Sequence, residues 1–249
     1  VRRIAGTHVT PVPRSKAPAM DQPRKILLIG ASRGLGLAMA AAFLARGWHV
    51  VGTVRGPGTK LHDLAAGAAG RLAIETLDIN EPDQLAALRQ TLDGQIFDIL
   101  FVNAGISNNP AETIGDVSTA EFTRVMVTNA LSPMRAVETL TTLVSPTGTI
   151  GVMSPGQGSV ANNTTGMREV YRASKAALNQ LMRSFAARHA ASQHPMTVMA
   201  PGWVRTELGG PEGRLSIEES IPSLVSVLIA LEGKPGLHYL DYLGRTVPW

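Results

Sequence analysis

The segment Tyr171-Arg172-Ala173-Ser174-Lys175 sets a phenol and an ammonium four residues apart, which on a helix places both on one face. A phenol with a pKa near 10 is a poor acid or base at neutral pH, and a nearby cation favours its ionised form. Bringing it to neutrality takes about 3 pKa units, roughly 4 kcal/mol of differential interaction, which Lys175 and a second positive charge could supply together. From the Tyr and Lys content, a Tyr-x-x-x-Lys match is expected by chance only about 0.06 times in such a chain. The same spacing also suits a tyrosine that merely packs on the stem of a surface lysine.

A second constellation, Gly30-Ala31-Ser32-Arg33-Gly34-Leu35-Gly36, follows the apolar run Lys25–Ile29 and precedes a stretch rich in Ala and Leu. A glycine turn between strand and helix offers free N–H groups and the positive end of the helix dipole to a pyrophosphate, and the missing Cβ lets backbone approach closely. The spacing alone is weak, with about 0.25 matches expected by chance, and it is not the G-x-G-x-x-G fingerprint. Its context, strand before and helix after, carries the weight. An NAD site would place an acidic residue at the end of the second strand, about 20 residues on. Between Gly30 and His62 no acidic residue occurs, whereas Arg33, Arg46, Arg55 and Lys60 do. Arg33 in the loop and Arg55 past the second strand suit a ribose 2′-phosphate. The reading is NADP(H) rather than NAD(H).

These motifs must be held by elements, and the chain alternates short apolar runs with longer helical ones. Strands are predicted at Lys25–Ile29, His49–Val54, Leu72–Thr76, Asp98–Val102, Thr149–Met153 and Met196–Ala200. Helices are predicted at Leu35–Arg46, at Pro82–Leu92 with Asn80 as cap, over Thr119–Val144 with a bend at Pro133, and at Tyr171–His189. Strands separated by helices of ten or more residues imply right-handed βαβ units, hence a single doubly wound α/β domain of the Rossmann type: a mostly parallel sheet with helices on both faces. Ligands of such sheets bind beyond the carboxyl ends of the strands, where the polar and glycine-rich motifs fall.

Composition narrows the function class. The 249 residues carry a formal charge of +4, but four of the 23 basic residues (Arg2, Arg3, Arg14 and Lys16) lie in the first 20, which hold no acid. The rest balances at 19 against 19, which removes the case for nucleic acid or a membrane surface. Residues 1–20 read as a disordered leader or an expression remnant, with Met20 a possible start, and residues 21–249 as one catalytic domain. There is no cysteine, which excludes disulfides and thiolate chemistry and is consistent with a reducing, cytoplasmic setting. No run approaches the roughly 18 apolar residues needed to span a bilayer. His8, His49, His62, His189, His194 and His238 show no metal-ligand spacing, so no metal is expected.

From about Arg24 to Trp249 the chain resembles the short-chain dehydrogenase/reductase family. The resemblance rests on Gly30 to Gly36, Asp78 after the third strand, Asn103-Ala104-Gly105 after the fourth, Asn129 in the long helix, Tyr171-x-x-x-Lys175, and Pro201-Gly202-Trp203-Val204-Arg205-Thr206 after the sixth. Tyr171 to Asn179, Pro201 to Gly210 and the ending Asp241 to Trp249 are similar to its C-factor-like and sniffer-like carbonyl reductase branch. The resemblance implies a seven-stranded sheet and a homodimer or homotetramer formed through the long helices. It further implies that Tyr171 donates or accepts the proton as hydride passes between nicotinamide and a carbonyl carbon. Lys175 would hold the nicotinamide ribose and depress the Tyr171 pKa, and Asn129 would anchor a water leading to solvent. Gly30, Ser32, Arg33, Gly34, Leu35, Gly36 and Arg55 would hold the nucleotide phosphates, Asp78 and Ile79 the adenine. Asn103, Ala104 and Gly105 would border the cofactor, and Pro201, Gly202, Val204 and Thr206 its carboxamide end.

One position departs from the family pattern. The serine expected three residues before Gly158 is Pro155, which has neither hydroxyl nor N–H. Ser154, at the strand end, is the expected replacement, with Ser159 the other candidate. The substrate read from Ile106, Met153, Met167, Trp203 and Leu208 is a small, mostly apolar ketone, aldehyde or secondary alcohol. Because the serine is displaced, a second reading is an NADP(H)-binding signalling or regulatory protein with little catalysis. The loop from Gly202 to Leu215, with three further glycines, reads as a lid over the cofactor.

Overall fold

The computed structural model describes residues 23–249, and the basic leader at 1–20 lies outside the described residues. Seven strands are present: β1 (Lys25–Ile29), β2 (His49–Val54), β3 (Leu72–Thr76), β4 (Phe97–Val102), β5 (Val144–Met153), β6 (Pro195–Ala200) and β7 (Gly236–Asp241). They form one sheet in the order β3-β2-β1-β4-β5-β6-β7, and every pairing is parallel. The order reverses between β1 and β4, which makes the carboxyl ends of these two strands the switch point where a ligand crevice opens. Around the sheet lie α1 (Gly34–Ala45), α2 (Lys60–Ala66), α3 (Pro82–Thr91), α4 (Thr119–Met126), α5 (Ser132–Leu140), α6 (Glu169–Arg188) and α7 (Ile217–Ile229).

The near-continuous apolar character of the central strands follows from burial on both faces. In β1, Ile26 and Leu28 pack with Met39, Phe43, Leu224 and Leu228 of α1 and α7 on one face. Leu27 and Ile29 pack on the other, in the core that holds Val137 of α5 and Leu178, Met182 and Phe185 of α6. Burying such side chains is worth about 1.5–3 kcal/mol each, and the period of two in the strand decides which helix layer each one meets.

Three local features differ from the sequence expectation. Asn80 does not cap α3: Glu81 stands at that position with Pro82 opening the helix, and the Asn80 side chain instead donates to Thr128 Oγ1 (3.0 Å) and accepts from Ser132 Oγ (2.9 Å). The segment expected as one helix over Thr119–Val144 is α4, a π-helical turn at Val127–Leu131, α5 and a 3-10 turn, with β5 starting at Val144. The break precedes Pro133 because that residue has no N–H to give the Asn129 carbonyl, and the Ser132 N–H bonds the Val127 carbonyl five residues back. Finally, α2, α7 and β7 complete the fold. α7 begins with a reciprocal cap, Ser216 Oγ accepting from the Glu219 N–H (3.2 Å) and Glu219 Oε2 from the Ser216 N–H (2.6 Å).

The first crossover is unusually tight at two glycines. Gly30 has φ +88, and a Cβ there would stand 2.9 Å from the Ala104 backbone. A Cβ on Gly36 would come within 2.1 Å of the Gly30 carbonyl oxygen. Gly34, with φ +54, has nothing within 4 Å of such an atom. Packing therefore demands Gly30 and Gly36, while Gly34 faces open space. Gly36→Ala should lower folding stability by about 2 kcal/mol or more through overpacking. Gly34→Ala should cost only about 1 kcal/mol of left-handed backbone strain; equal losses in denaturant unfolding would contradict this division.

Candidate active site

The helix α6 runs back from the carboxyl edge of the sheet, so its first turns stand over the ends of β4, β5 and β6. Tyr171 and Lys175 lie on its buried face, 5% and 3% exposed. Lys175 Nζ donates to the carbonyl of Met153, the last residue of β5, at 3.0 Å. A Cβ on Gly105 would lie 3.3 Å from that Nζ and 3.4 Å from Asn129 Oδ1, which places the loop after β4 against both side chains. Asn129, fully buried in the π turn, accepts from the Ile106 N–H (2.8 Å) and donates to the Ile106 carbonyl (2.8 Å) and Ser174 Oγ (2.9 Å). Its side chain is thus a three-way clamp joining the β4 loop to α6. Lys175, Asn129 and Gly105 come together as expected, with Tyr171 one helical turn from the lysine.

The electrostatics run differently from the expectation for Tyr171. Burial raises its phenol above the ordinary tyrosine value; the Arg168 guanidinium opposes that in part, and Tyr239 adds to it. The ammonium of Lys175 does not offset the burial, being turned to the Met153 carbonyl. Burial in turn pushes Lys175 down to about 8. The protein alone therefore holds Tyr171 as the neutral acid.

Ser154 is at the strand end as expected, but its hydroxyl is enclosed by protein. It is fully buried on the α6 side of the sheet, its hydroxyl directed weakly at the Lys175 carbonyl (3.5 Å), and a Cβ on Gly158 would stand 2.7 Å from its Oγ. Strand parity explains the direction, because Ser154 follows Val152 onto the helix face while Met153 turns to the other core. For the same reason Met153 is core and lends the site only its carbonyl. Ser159 is engaged elsewhere, donating to the Trp249 carbonyl (3.3 Å) and accepting from the Asn162 N–H (3.1 Å). Pro155 contributes a carbonyl, which accepts from the Tyr239 hydroxyl at 2.8 Å.

The nucleotide half is built along the β1–β4 crevice. The Asn103 side chain donates to the Gly30 carbonyl (2.8 Å), and the N–H groups of Asn103 and Ala104 bond the Ile29 carbonyl (2.9 and 3.1 Å). Thr53 Oγ1 accepts from the Gly30 N–H at 2.9 Å. Arg55 and Asp78 share a cleft of about 510 Å³ with Glu75, Thr76 and Glu81. Asp78 closes a turn by accepting from the Asn80 N–H (3.0 Å), while the Ile79 side chain is buried in the core below. The open face at Gly34, the α1 N-terminus beside Ser32 and Leu35, and the Arg55 guanidinium, which makes no ion pair among the described residues, fit a phosphorylated dinucleotide. Arg33 is exposed and pairs with Glu207.

Beyond β6, Pro201 accepts from Ser220 Oγ (2.6 Å), Val204 is buried, and the Thr206 hydroxyl accepts from the Gly209 N–H (3.0 Å). Trp203 Nε1 donates to the Gly209 carbonyl (2.8 Å). Met167, Trp203 and Leu208 are exposed apolar residues. Sequence reasoning missed Thr53, Arg168, Ser174 and Tyr239. Arg168 alone carried a signal in its place three residues before Tyr171, and its backbone is left-handed (φ 61) without being glycine.

Comparison with known proteins agrees with this architecture. A family model described as enoyl-(acyl carrier protein) reductase matches residues 30–221. A protein from Burkholderia multivorans described as a short-chain dehydrogenase/reductase, crystallised with bound NADP, superposes with a TM-score of 0.91 at 63% identity, covering 92% of this chain and 100% of its own. A carbonyl reductase from Pseudomonas aeruginosa in complex with NADP gives a TM-score of 0.86 at 35% identity over 92% and 100% of the two chains. The C-signal protein of Myxococcus xanthus is 34% identical over 158 residues, 61% of this chain and 92% of the relative. Among the described residues, no helix is long and apolar enough to cross a membrane, and no group of three or more His, Asp or Glu could hold a metal ion. An all-parallel seven-stranded sheet and a family match over most of the chain lead to one conclusion: the chain belongs to the short-chain dehydrogenase/reductase family.

Proposed function

We propose that the chain is an NADPH-dependent carbonyl reductase acting on a small, mostly apolar ketone or aldehyde, with Tyr171 as the proton donor. The observation that carries this reading is the buried pair of Tyr171 and Lys175 over the end of β5, clamped by Asn129. NADPH, when bound, supplies the hydride to the carbonyl carbon. The Tyr171 hydroxyl, which has no hydrogen-bond partner among the described residues, gives its proton to the carbonyl oxygen. Burial keeps that proton in place until the oxygen becomes basic, which suits reduction better than the reverse reaction. Lys175, the buried cation one helical turn away, is the group that resupplies a proton to the phenolate. The exposed Met167, Trp203 and Leu208 support an apolar substrate. The carbonyl reductase named in the Pseudomonas aeruginosa complex points the same way.

Assembly through the long helices belongs to the same reading. Leu131 and Leu181 are 41% and 39% exposed on the π turn and on α6. Sedimentation should give a dimer or tetramer, and a charged residue at Leu181 should shift it toward monomer.

Tyr171→Phe should lower kcat/KM for NADPH oxidation on a carbonyl panel by about 10³-fold, given the 10²–10⁴ that a general acid contributes. NADPH binding without Tyr171-dependent turnover would instead favour a cofactor-binding regulatory protein. Ser154→Ala should leave the rate within about threefold, because its hydroxyl is fully buried and directed at the Lys175 carbonyl. A loss of 10² or more, of the size seen on removing an oxyanion donor, would return Ser154 to the site. The pH profile follows from Lys175. Its burial-lowered value means that the ammonium is present below about pH 8 and lost above it, while Tyr171 stays protonated. Reductive kcat/KM should therefore fall as pH rises through about 8. Lys175→Met should abolish that limb along with most of the rate.

A further inference from the structure

The residue best placed in the glycine turn to meet a 2′-phosphate is already engaged. Arg33 stands at the N-cap of α1 in extended backbone and makes no capping bond with its side chain. Its Nη1 instead donates to Glu207 Oε2 in the loop after β6. Among the described residues no other hydrogen bond or ion pair joins residues 30–36 to residues 202–215. That loop is stitched to itself. Gly210 N–H bonds the Thr206 carbonyl (2.8 Å), Arg205 N–H the Leu215 carbonyl (2.9 Å), and Leu215 N–H the Trp203 carbonyl (3.0 Å). It is therefore a self-bonded unit, joined to α7 by Arg205 and Glu219 (3.8 Å), and Arg33 is its tether to the nucleotide half. Arg55, in contrast, lines the cleft without an ion pair among the described residues.

We propose that Glu207 competes with the cofactor 2′-phosphate for Arg33, so that one guanidinium either tethers the 202–215 loop or binds the phosphate. This deepens the assignment of Arg33 and Arg55 as the NADP(H) phosphate ligands and rests on it. Both side chains of the pair are well exposed, 65% and 74%. A pair so wet is weak and readily exchanged. A phosphate with about −1.5 to −2 charges outbids one carboxylate for the same fork of donors. The exchange also moves Glu207 away from a like-charged group. NADP(H) thereby frees the loop that carries Thr206, whereas NAD(H), lacking the 2′-phosphate, leaves the tether closed.

The test uses adenosine 2′,5′-bisphosphate and adenosine 5′-monophosphate, which differ only by the 2′-phosphate, in calorimetric titrations of the full chain, Arg33→Ala, Glu207→Gln and the double variant. Glu207→Gln should tighten the bisphosphate about three- to tenfold at low salt and leave the monophosphate within about twofold. In the Arg33→Ala background the gain should vanish. Hydrogen exchange should show faster exchange over 204–215 with the bisphosphate than with the monophosphate in the parent, and no such difference in Glu207→Gln. If Arg33→Ala weakens the bisphosphate but Glu207→Gln does not tighten it, the competition is refuted while the phosphate assignment stands. If Arg33→Ala leaves the bisphosphate unaffected, the assignment fails and takes the competition with it. Unchanged exchange over 204–215 refutes the tether.

Discussion

A cation buried without an anion is the constraint around which the catalytic end of this molecule is arranged. Lys175 is 3% exposed, and burial alone sets the direction of its shift, no carboxylate offsetting it. Its one hydrogen-bond acceptor among the described residues is a neutral carbonyl, that of Met153. An ammonium in such a place is tolerated only if its surroundings leave room for polar contact and if its proton is easily lost. Both conditions are met. Gly105 brings backbone rather than a side chain against Nζ, and the pKa falls toward the range where a proton can be handed over. The same burial makes the neighbouring phenol reluctant to ionise.

Holding that pair in register is the work of Asn129, and Asn129 is placed by a defect in a helix. Pro133 cannot bond back to the Asn129 carbonyl, and the chain answers with the π turn at Val127–Leu131. The wider turn aims a fully buried amide across the gap to Ser174 and the Ile106 backbone. Three good hydrogen bonds at zero exposure meet the demand that a buried amide makes. A regular helix over the same residues would carry Asn129 on a different face.

Much of this was legible in the residues. β1, β2 and β3 were bounded correctly because short apolar runs stopped by glycine or charge have few other uses in a chain that alternates with helices. Tyr171 and Lys175 were singled out by a rare spacing and the glycine turn by its place between strand and helix, whereas Asn129 came only through the family resemblance. β7 escaped notice: Gly236–Asp241 is an edge strand whose buried residue is Tyr239, in a weak pattern. The π turn was foreseen only as a bend. The direction of Ser154 was within reach, since parity with Val152 places it on the α6 side of the sheet. The pairing of Arg33 with Glu207 was out of reach, because 174 residues separate the partners and only the folded sheet brings them together.

The end of the chain has an effect on the far side of the site. Trp249 packs on Tyr239 with ring centroids 5.2 Å apart and lies under the Arg183 guanidinium at 4.7 Å. Its carbonyl accepts from the Ala161 N–H (3.0 Å), while the Tyr239 hydroxyl holds the Pro155 carbonyl (2.8 Å). The connection between β5 and α6 is thus fastened from beneath at two points, whereas among the described residues a single exposed ion pair joins the loop after β6 to the glycine turn. On the proposed function, the first wall of the substrate entrance is a fixed jamb and the second a hinged door. Descendants of this sequence that acquire larger or differently shaped substrates would do so by redrawing the door, leaving the jamb and the last residues of the chain as they are.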